Sequence, residues 1–208
     1  ALRLVIIGGV AAGATAAARA RRMDEQADIL LVERGPYISY ANCGLPYFLS
    51  GDIKDRDDLL LQSPEGFGRR YRVDVRVSTE AVSLDRAGRK VLLRGPDGES
   101  WESYDRLILA QGGQPFVPNI PGRDASHVFR LWTVPDMDRI QSFLETRNPA
   151  TAVVVGGGFI GLEMAEAFVA RGVRTTVVEA RDTVMGLMDP EFGRLVQREL
   201  EAEGVRVE

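Results

Sequence analysis

Cys43 is the single cysteine in a chain of 208 residues. It lies in the stretch Ser39-Tyr40-Ala41-Asn42-Cys43-Gly44-Leu45-Pro46-Tyr47. A thiol does chemistry as its thiolate, whose formation is favoured at a helix N-terminus or beside positive charge. Asn42-Cys43-Gly44 follows a loop and reads as the opening of a short helix, which would supply a favourable dipole. With no second cysteine, neither an intrachain disulfide nor a multi-cysteine metal site can form, and no metal is expected. A lone cysteine is most often a buried, inert side chain, so residue type alone assigns Cys43 no role.

Two glycine-rich turns offer a second kind of chemistry. A dinucleotide needs a strand, a tight glycine turn and a helix N-terminus facing its pyrophosphate. An acidic residue about twenty positions on then takes the ribose hydroxyls. The later turn, Gly156-Gly157-Gly158-Phe159-Ile160-Gly161, has Gly156, Gly158 and Gly161 in register and Glu179 at the end of the next strand. Phe159, Ile160 and Glu163 join its candidate cofactor contacts. The earlier turn, Gly8-Gly9-Val10-Ala11-Ala12-Gly13, keeps Gly8 and Gly13 but has Val10 at the middle position. Its backbone can present amides there if the valine side chain points away. Glu33 stands where the ribose carboxylate is needed, with Arg34 beside it.

The elements that must position these residues form two repeats. Leu4 to Ile7, within a strand over Leu2 to Ile7, and Ile29 to Val32 are continuous apolar runs of the buried parallel-strand kind, joined by an alanine-rich helix over Ala14 to Met23. Short helices are predicted over 57–61 and 64–71, and extended segments over 73–77, 81–84 and 91–93, with turns at 86–89 and 95–98. Another buried strand runs over 107–110, and Pro115, Pro118 and Pro121 mark an irregular crossing. A helix over 135–146 ends at the linker 147–149. The second repeat follows: a strand over 152–155, a helix over 162–171 and a strand over 175–178. A further helix is expected with Asp189 as N-cap and Pro190 at its first position. Val205 to Val207 begins one more strand. The expected fold is α/β: two Rossmann-like units with parallel sheets and a small β-meander, divided into 1–149 and 150–208. The second unit is expected to be truncated, and the chain reads as an N-terminal fragment, itself inactive.

Composition narrows the class. Hydrophobic residues make up 45% and charged residues 27%, an ordinary globular balance. A net charge of −4 gives no broad basic field, so nucleic acid is not an expected partner. No apolar run reaches about 18 residues, so no membrane helix is expected. The chain opens on a strand, so no signal peptide is expected, and with its single thiol this suggests the cytoplasm.

The Tyr-Ala-Asn-Cys-Gly-Leu-Pro-Tyr wording around Cys43 resembles the coenzyme A disulfide reductase branch of the flavin-dependent pyridine nucleotide–disulfide oxidoreductases. The resemblance implies FAD on the first unit and NADH, with NADPH an alternative, on the second. It makes Cys43 the single redox cysteine between flavin and substrate, because the two-cysteine members use a Cys-x-x-x-x-Cys pair and Phe48 stands at the second position here. The tail Ala110-Gln111-Gly112 resembles the second flavin motif, Ala-Thr-Gly, with Gln111 in place of threonine. Val82 and Asn42 join the implied flavin contacts. The flavin domain of 1–149 is implied to lack a later return segment, and a homodimer is implied for the full-length protein.

Thr15, Arg19 and Arg22 fall at i, i+4 and i+7, on one helix face. By itself that is a solvated face. The resemblance implies that they hold the nucleotide of coenzyme A together with Ser39 and Asn42. Tyr71 stands where some members have a lysine contact, so that phosphate contact is either lost or taken by Arg70. The implied substrate is a coenzyme A disulfide, persulfide or polysulfide. Two other readings remain. One is an NADH oxidase or peroxidase cycling through a sulfenic acid at Cys43. Peroxidase relatives place a histidine in the first glycine turn, whereas the only histidine here, His127, lies in a linker-like stretch. The other is a flavoprotein reductase serving a protein partner, a group that lacks the signature cysteine.

Overall fold

The computed structural model describes residues 1–208. Strand β1 (Arg3–Ile7) leads into α1 (Ala12–Met23) and β2 (Asp28–Val32). A 3-10 turn at Asn42–Gly44 opens α2 (Leu45–Ser50), and a second 3-10 turn spans Arg56–Leu59. Helix α3 (Pro64–Tyr71) precedes β3 (Asp74–Arg76), β4 (Glu80–Asp85), β5 (Lys90–Gly95), β6 (Gly98–Ser103) and β7 (Arg106–Leu109). The remainder carries α4 (Val134–Arg147), β8 (Thr151–Val155), α5 (Phe159–Ala170), β9 (Arg174–Val178), α6 (Pro190–Ala202) and β10 (Arg206–Val207). No helix is long and apolar enough to cross a membrane.

The chain forms two compact units. The first is Ala1–Ala41 with Leu60–Gln114, and the second is Asn42–Leu59 with Pro115–Glu208. The excursion 42–59 and the stretch from Pro115 therefore group with the second sheet, a division that does not follow chain order.

In the first unit β3, β2, β1 and β7 form a parallel sheet in that order. Its central strands are apolar from their second residue onward, where both faces are covered. Leu4, Ile6, Ile29 and Leu31 pack with Ala14, Ala17 and Ala18 of α1 and Phe67 of α3. The alternate residues Val5, Ile7, Leu30 and Val32 pack with Val91 and Leu93 of β5. The alanines let α1 lie close to the sheet. Strands β4, β5 and β6 make the antiparallel meander. Its last strand, β6, carries no apolar alternation and was not foreseen, since Gly98-Glu99-Ser100-Trp101 reads as turn and polar surface.

An ion network ties that polar strand down. The Glu102 carboxylate accepts from Arg3 Nη2 at 3.0 Å and from Arg76 Nη1 at 2.6 Å. Arg3 also pairs with Asp28, and Arg76 with Asp74. Burial works against the Glu102 charge, but the hydrogen bonds and charges of Arg76 and Arg3 outweigh it and hold the carboxyl below its usual range. A depressed carboxylate pKa stabilises the fold above the ordinary value and loses that contribution as pH falls through the folded-state pKa. Glu102→Gln is therefore expected to destabilise the protein near neutral pH by about 1–2 kcal/mol. The gap should close in acid, where the wild type gives up the same contribution. Thermal melts of both proteins across the acid range measure this, and a gap independent of pH would refute it.

In the second unit β10, β9 and β8 form a parallel sheet in that order. Helix α5 connects β8 to β9 and starts at Phe159, three residues before the predicted start. Helix α4 is fixed by a capping box, in which Thr133 accepts from the Asp136 N–H and Asp136 accepts from the Thr133 N–H. At α6, Asp189 holds the N-cap position with Pro190 next, but its side chain makes no capping hydrogen bond. Helix α2 packs against both α5 and α4 within this unit.

Candidate functional site: two glycine turns and an exposed thiol

The first turn is built around Gly8. Its φ is +101°, and a Cβ there would lie 2.2 Å from the Ala110 carbonyl oxygen. Its N–H donates to the Val32 carbonyl at 2.8 Å, so the chain leaves β1 still tied to β2. A Cβ at Gly13 would lie 1.7 Å from the Gly8 carbonyl oxygen, which is how α1 begins directly against the turn. Ala11 is the N-cap of α1, with no side-chain cap and no acidic residue in the first turn. The amides of Ala12 and Gly13 thus open a helix terminus suited to an anion. Val10 is half-buried, while Ala11 and Ala12 are exposed.

Glu33 closes the turn from the side. One carboxylate oxygen accepts from the Gly9 N–H at 2.8 Å and the other from the Gly35 N–H at 2.6 Å. Each oxygen keeps a lone pair free for a ribose hydroxyl. Above lies a cleft of about 400 Å³, whose walls include Gly8, Glu33, Arg34, Ala81, Gln111 and Gly112. Val82 is not in that wall. It is the extra residue where the β4–β5 register shifts, between the pairs Ala81–Leu93 and Ser83–Leu92, so its backbone has no ladder partner. Ala110 is half-buried and its N–H donates to Ile7 at 2.7 Å.

The second turn repeats these bonds. Gly156, with φ +106°, donates to the Val178 carbonyl at 2.8 Å. The Gly157 N–H donates to Glu179 Oε2 at 2.7 Å, and the Arg181 N–H to Oε1 at 3.0 Å. The Gly157 N–H, opposed by burial and helped by the amides of Arg181 and Ala180, holds the Glu179 carboxyl below its usual range. A Cβ at Gly161 would lie 2.0 Å from the Gly156 carbonyl oxygen, whereas one at Gly158 would meet open space. Gly158 is the N-cap of α5, with no side-chain cap and no acidic residue in the first turn. Phe159 and Ile160 are exposed, and Glu163 is half-buried. Arg181 donates through Nη1 to the Gly186 carbonyl, so its guanidinium is engaged within its own loop.

Cys43 is exposed and lies in the 3-10 turn that opens α2. Asn42 beside it is exposed too, and both belong to the second compact unit. Thr15, Arg19 and Arg22 are exposed on α1 in the first unit, and neither arginine makes an ion pair. Ser39 is half-buried with φ +45°. Its N–H donates to the Gly9 carbonyl, and its carbonyl accepts from Leu61. Arg70 lies over the Tyr71 ring, 5.3 Å from the centroid. His127 is exposed in an irregular segment.

Sequence reasoning missed Thr79, Glu80, Ala81 and Gln114, which also line the cleft. They come from the meander edge and the chain beyond β7, and no motif marks them. It also missed Arg21, whose Nε donates to the Tyr71 carbonyl at 2.8 Å and Nη2 to the Arg72 carbonyl at 2.6 Å, locking α3 to α1.

Both turns fit a dinucleotide by their close backbone approach, uncapped helix start and strand-end carboxylate. Two such strand–turn–helix units in one chain, with an exposed thiol between them in sequence, define an α/β architecture built for two nucleotides. The chain belongs to the pyridine nucleotide-disulphide oxidoreductase family, whose sequence profile matches residues 2–208. Members of this family bind FAD and NADH or NADPH. The chain is 36% identical to an NADH oxidase of Methanocaldococcus jannaschii, across 99% of this chain and 46% of that protein. It is 32% identical to a coenzyme A disulfide reductase of Staphylococcus haemolyticus, across 98% of this chain and 46% of the relative. The crystal structure of reduced Bacillus anthracis CoADR-RHD superposes with a TM-score of 0.96 at 41% identity, covering 99% of this chain and 37% of that one. The chain thus spans less than half the length of the curated relatives it matches.

Proposed function

We propose that the full-length protein passes electrons from NADH through FAD to Cys43, which reduces coenzyme A disulfide. The observation that carries the reading is the exposed thiol of Cys43, set in the Tyr-Ala-Asn-Cys-Gly-Leu-Pro-Tyr stretch at the opening of α2. In this reading residues 1–149 hold FAD and residues 150–208 hold the nicotinamide nucleotide. In the same reading the full-length protein is a homodimer, which rests on the family resemblance, and is cytoplasmic, which rests on its single thiol.

FAD and NADH, when bound, would supply the two electrons that reduce the mixed disulfide formed at Cys43. The Gly8–Gly13 turn with Glu33, Arg34 and Gln111 would bind the flavin nucleotide. The Gly156–Gly161 turn with Glu179 would bind NADH. The Cys43 thiolate attacks one sulfur of the disulfide, breaking the S–S bond and releasing one coenzyme A thiolate. The resulting mixed disulfide takes up two electrons, which frees the second thiolate and restores Cys43. One NADH and one proton are consumed for each disulfide, and two coenzyme A thiols are formed. Arg19 and Arg22, unpaired on α1, hold the substrate's phosphates.

The similarity to an NADH oxidase supports one second reading. There the Cys43 thiolate attacks peroxide and becomes a sulfenic acid, releasing hydroxide. Two electrons and two protons then restore the thiol and release water.

Stopped-flow reoxidation of the NADH-reduced full-length enzyme by coenzyme A disulfide, coenzyme A persulfide, peroxide and oxygen separates the two. Fast reoxidation by the disulfide is expected, and reoxidation by peroxide or oxygen alone would overturn the first reading. Arg22→Ala is expected to raise KM for coenzyme A disulfide about ten-fold, equivalent to ~1.4 kcal/mol of a charge-assisted contact. It should leave peroxide and inorganic polysulfide unaffected, because they carry no nucleotide. Equal slowing of every acceptor would reduce the α1 arginines to a solvated face.

NADH is expected to outperform NADPH by about ten-fold in kcat/KM, since a 2′-phosphate would meet the Glu179 carboxylate. Arg181 is held on the Gly186 carbonyl and would have to leave it to compensate. Steady-state kinetics with both nucleotides test this, and equal or better use of NADPH would refute it.

A further inference from the structure

The segment that carries Cys43 is built into the nucleotide-binding unit by two attachments. The first is α2, whose Leu45, Pro46 and Leu49 are buried and which packs against α5. Helix α5 starts at Phe159, and its N-cap Gly158 belongs to the second glycine turn. The second is Arg56, in the 3-10 turn that closes the excursion. Its Nε donates to Asp138 Oδ1 at 2.7 Å and its Nη2 to Asp138 Oδ2 at 2.8 Å. Such a two-pronged arginine–carboxylate fork fixes orientation as well as distance. Asp138 lies in the first turns of α4, which the Thr133–Asp136 capping box anchors. Between the attachments, Gly51 ends α2 in the left-handed region at φ +91°, Ile53 N–H returns to the Tyr47 carbonyl at 3.0 Å, and Leu59 is fully buried.

We propose that Arg56 and Asp138 are positioning residues for Cys43: their fork, with α2 on α5, seats the cysteine turn on the helices of the nucleotide-binding unit, so that thiol reactivity follows nucleotide occupancy of the Gly156–Gly161 turn. The inference rests on the proposed nucleotide site but not on the disulfide substrate. A ligand drawn to the N-terminus of α5 acts on a helix that α2 is packed against. The fork prevents the far end of the excursion from absorbing the change. Without the fork the closing turn keeps its buried Leu59 but loses the directional contact that fixes its orientation on α4.

The test is the rate of Cys43 alkylation by iodoacetamide in the oxidised full-length holoenzyme, with and without saturating NAD⁺. NAD⁺ is the probe because it occupies the turn without delivering electrons. The wild-type rate is expected to change about five-fold on NAD⁺ addition, the low end for coupled sites because the ion pair is partly exposed. In Arg56→Ala the change should fall below about two-fold, while NAD⁺ affinity, measured separately, stays at the wild-type value. Asp138→Asn, which leaves Arg56 in place, should behave alike and serves if Arg56→Ala does not fold. Alkylation indifferent to NAD⁺ in the wild type would overturn the proposal. So would an NAD⁺ effect that survives in the variants, since that marks direct shielding of the thiol. Disulfide turnover is assayed in parallel. Its failure with the coupling intact would indict the substrate assignment and leave this inference standing, and absence of NAD⁺ binding would indict the nucleotide site.

Discussion

Cys43→Ser in the full-length protein is expected to abolish disulfide turnover, by at least about 10³-fold, while bound flavin is still reduced by NADH at close to the wild-type rate. A serine hydroxyl does not ionise near neutral pH and cannot form a mixed disulfide, so the loss should be nearly complete. Hydride delivery precedes any need for the thiol, so bleaching of the flavin absorbance by NADH should survive. The exchange should also cost little stability. Cys43 is exposed in its 3-10 turn, and replacing sulfur by oxygen there removes no packed contact. An unchanged Tm with lost turnover and retained bleaching supports a redox role. Full disulfide turnover by the variant would end it.

Gly8→Ala is expected to be the most damaging small substitution in the first unit. Alanine is strained at φ +101°, and its Cβ would sit 2.2 Å from one backbone atom of Ala110 and 2.5 Å from another. Neither can yield cheaply, because Ala110 is tied to β1 through its own hydrogen bond to Ile7. Strain and overlap together are expected to cost at least about 3 kcal/mol. Loss of FAD from the purified protein and a collapsed Tm are the readouts. Gly156→Ala is the internal control. Its φ of +106° is equally unfavourable, but a Cβ there meets nothing within 4 Å, so the cost should be the strain alone. Equal destabilisation by the two substitutions would show that the approach of Ala110 to the turn is unimportant.

The repeats were legible in the sequence because each is local. Apolar runs, glycine turns and strand-end acids all lie within one strand–helix–strand stretch, and their spacing follows from helix and strand geometry. The helix over 64–71 was legible for the same reason, with Ser63 ahead of Pro64 supplying its cap. What stayed hidden depends on distant partners. Nothing near Arg56 announces Asp138, and nothing near Glu102 announces Arg3. The grouping of residues 42–59 with the second unit rests on α2 meeting α5 across more than a hundred residues of chain. Strand β6 escaped because it is held by its pairing with β5 and by charges, which leave no apolar alternation to read. The cleft wall at Thr79–Ala81 escaped because its position comes from the meander's return and not from a motif.

The hydrogen bonds shared by the two turns bear on ancestry. In each, the first glycine donates to a valine carbonyl on the neighbouring strand, the second donates to a glutamate carboxylate, and a glycine at the helix start leaves no room for a Cβ beneath the first glycine's carbonyl. Convergence on a glycine pattern alone would not require the second glycine's amide to be spent each time on the carboxylate at the end of the next strand. A single strand–turn–helix unit, doubled within one gene, would leave that imprint. The copies differ at the three positions between their shared glycines, Val10-Ala11-Ala12 in the first turn and Gly158-Phe159-Ile160 in the second. Substitution at those three positions, with the glycine frame kept, would be a small step by which a duplicated module came to serve two different nucleotides.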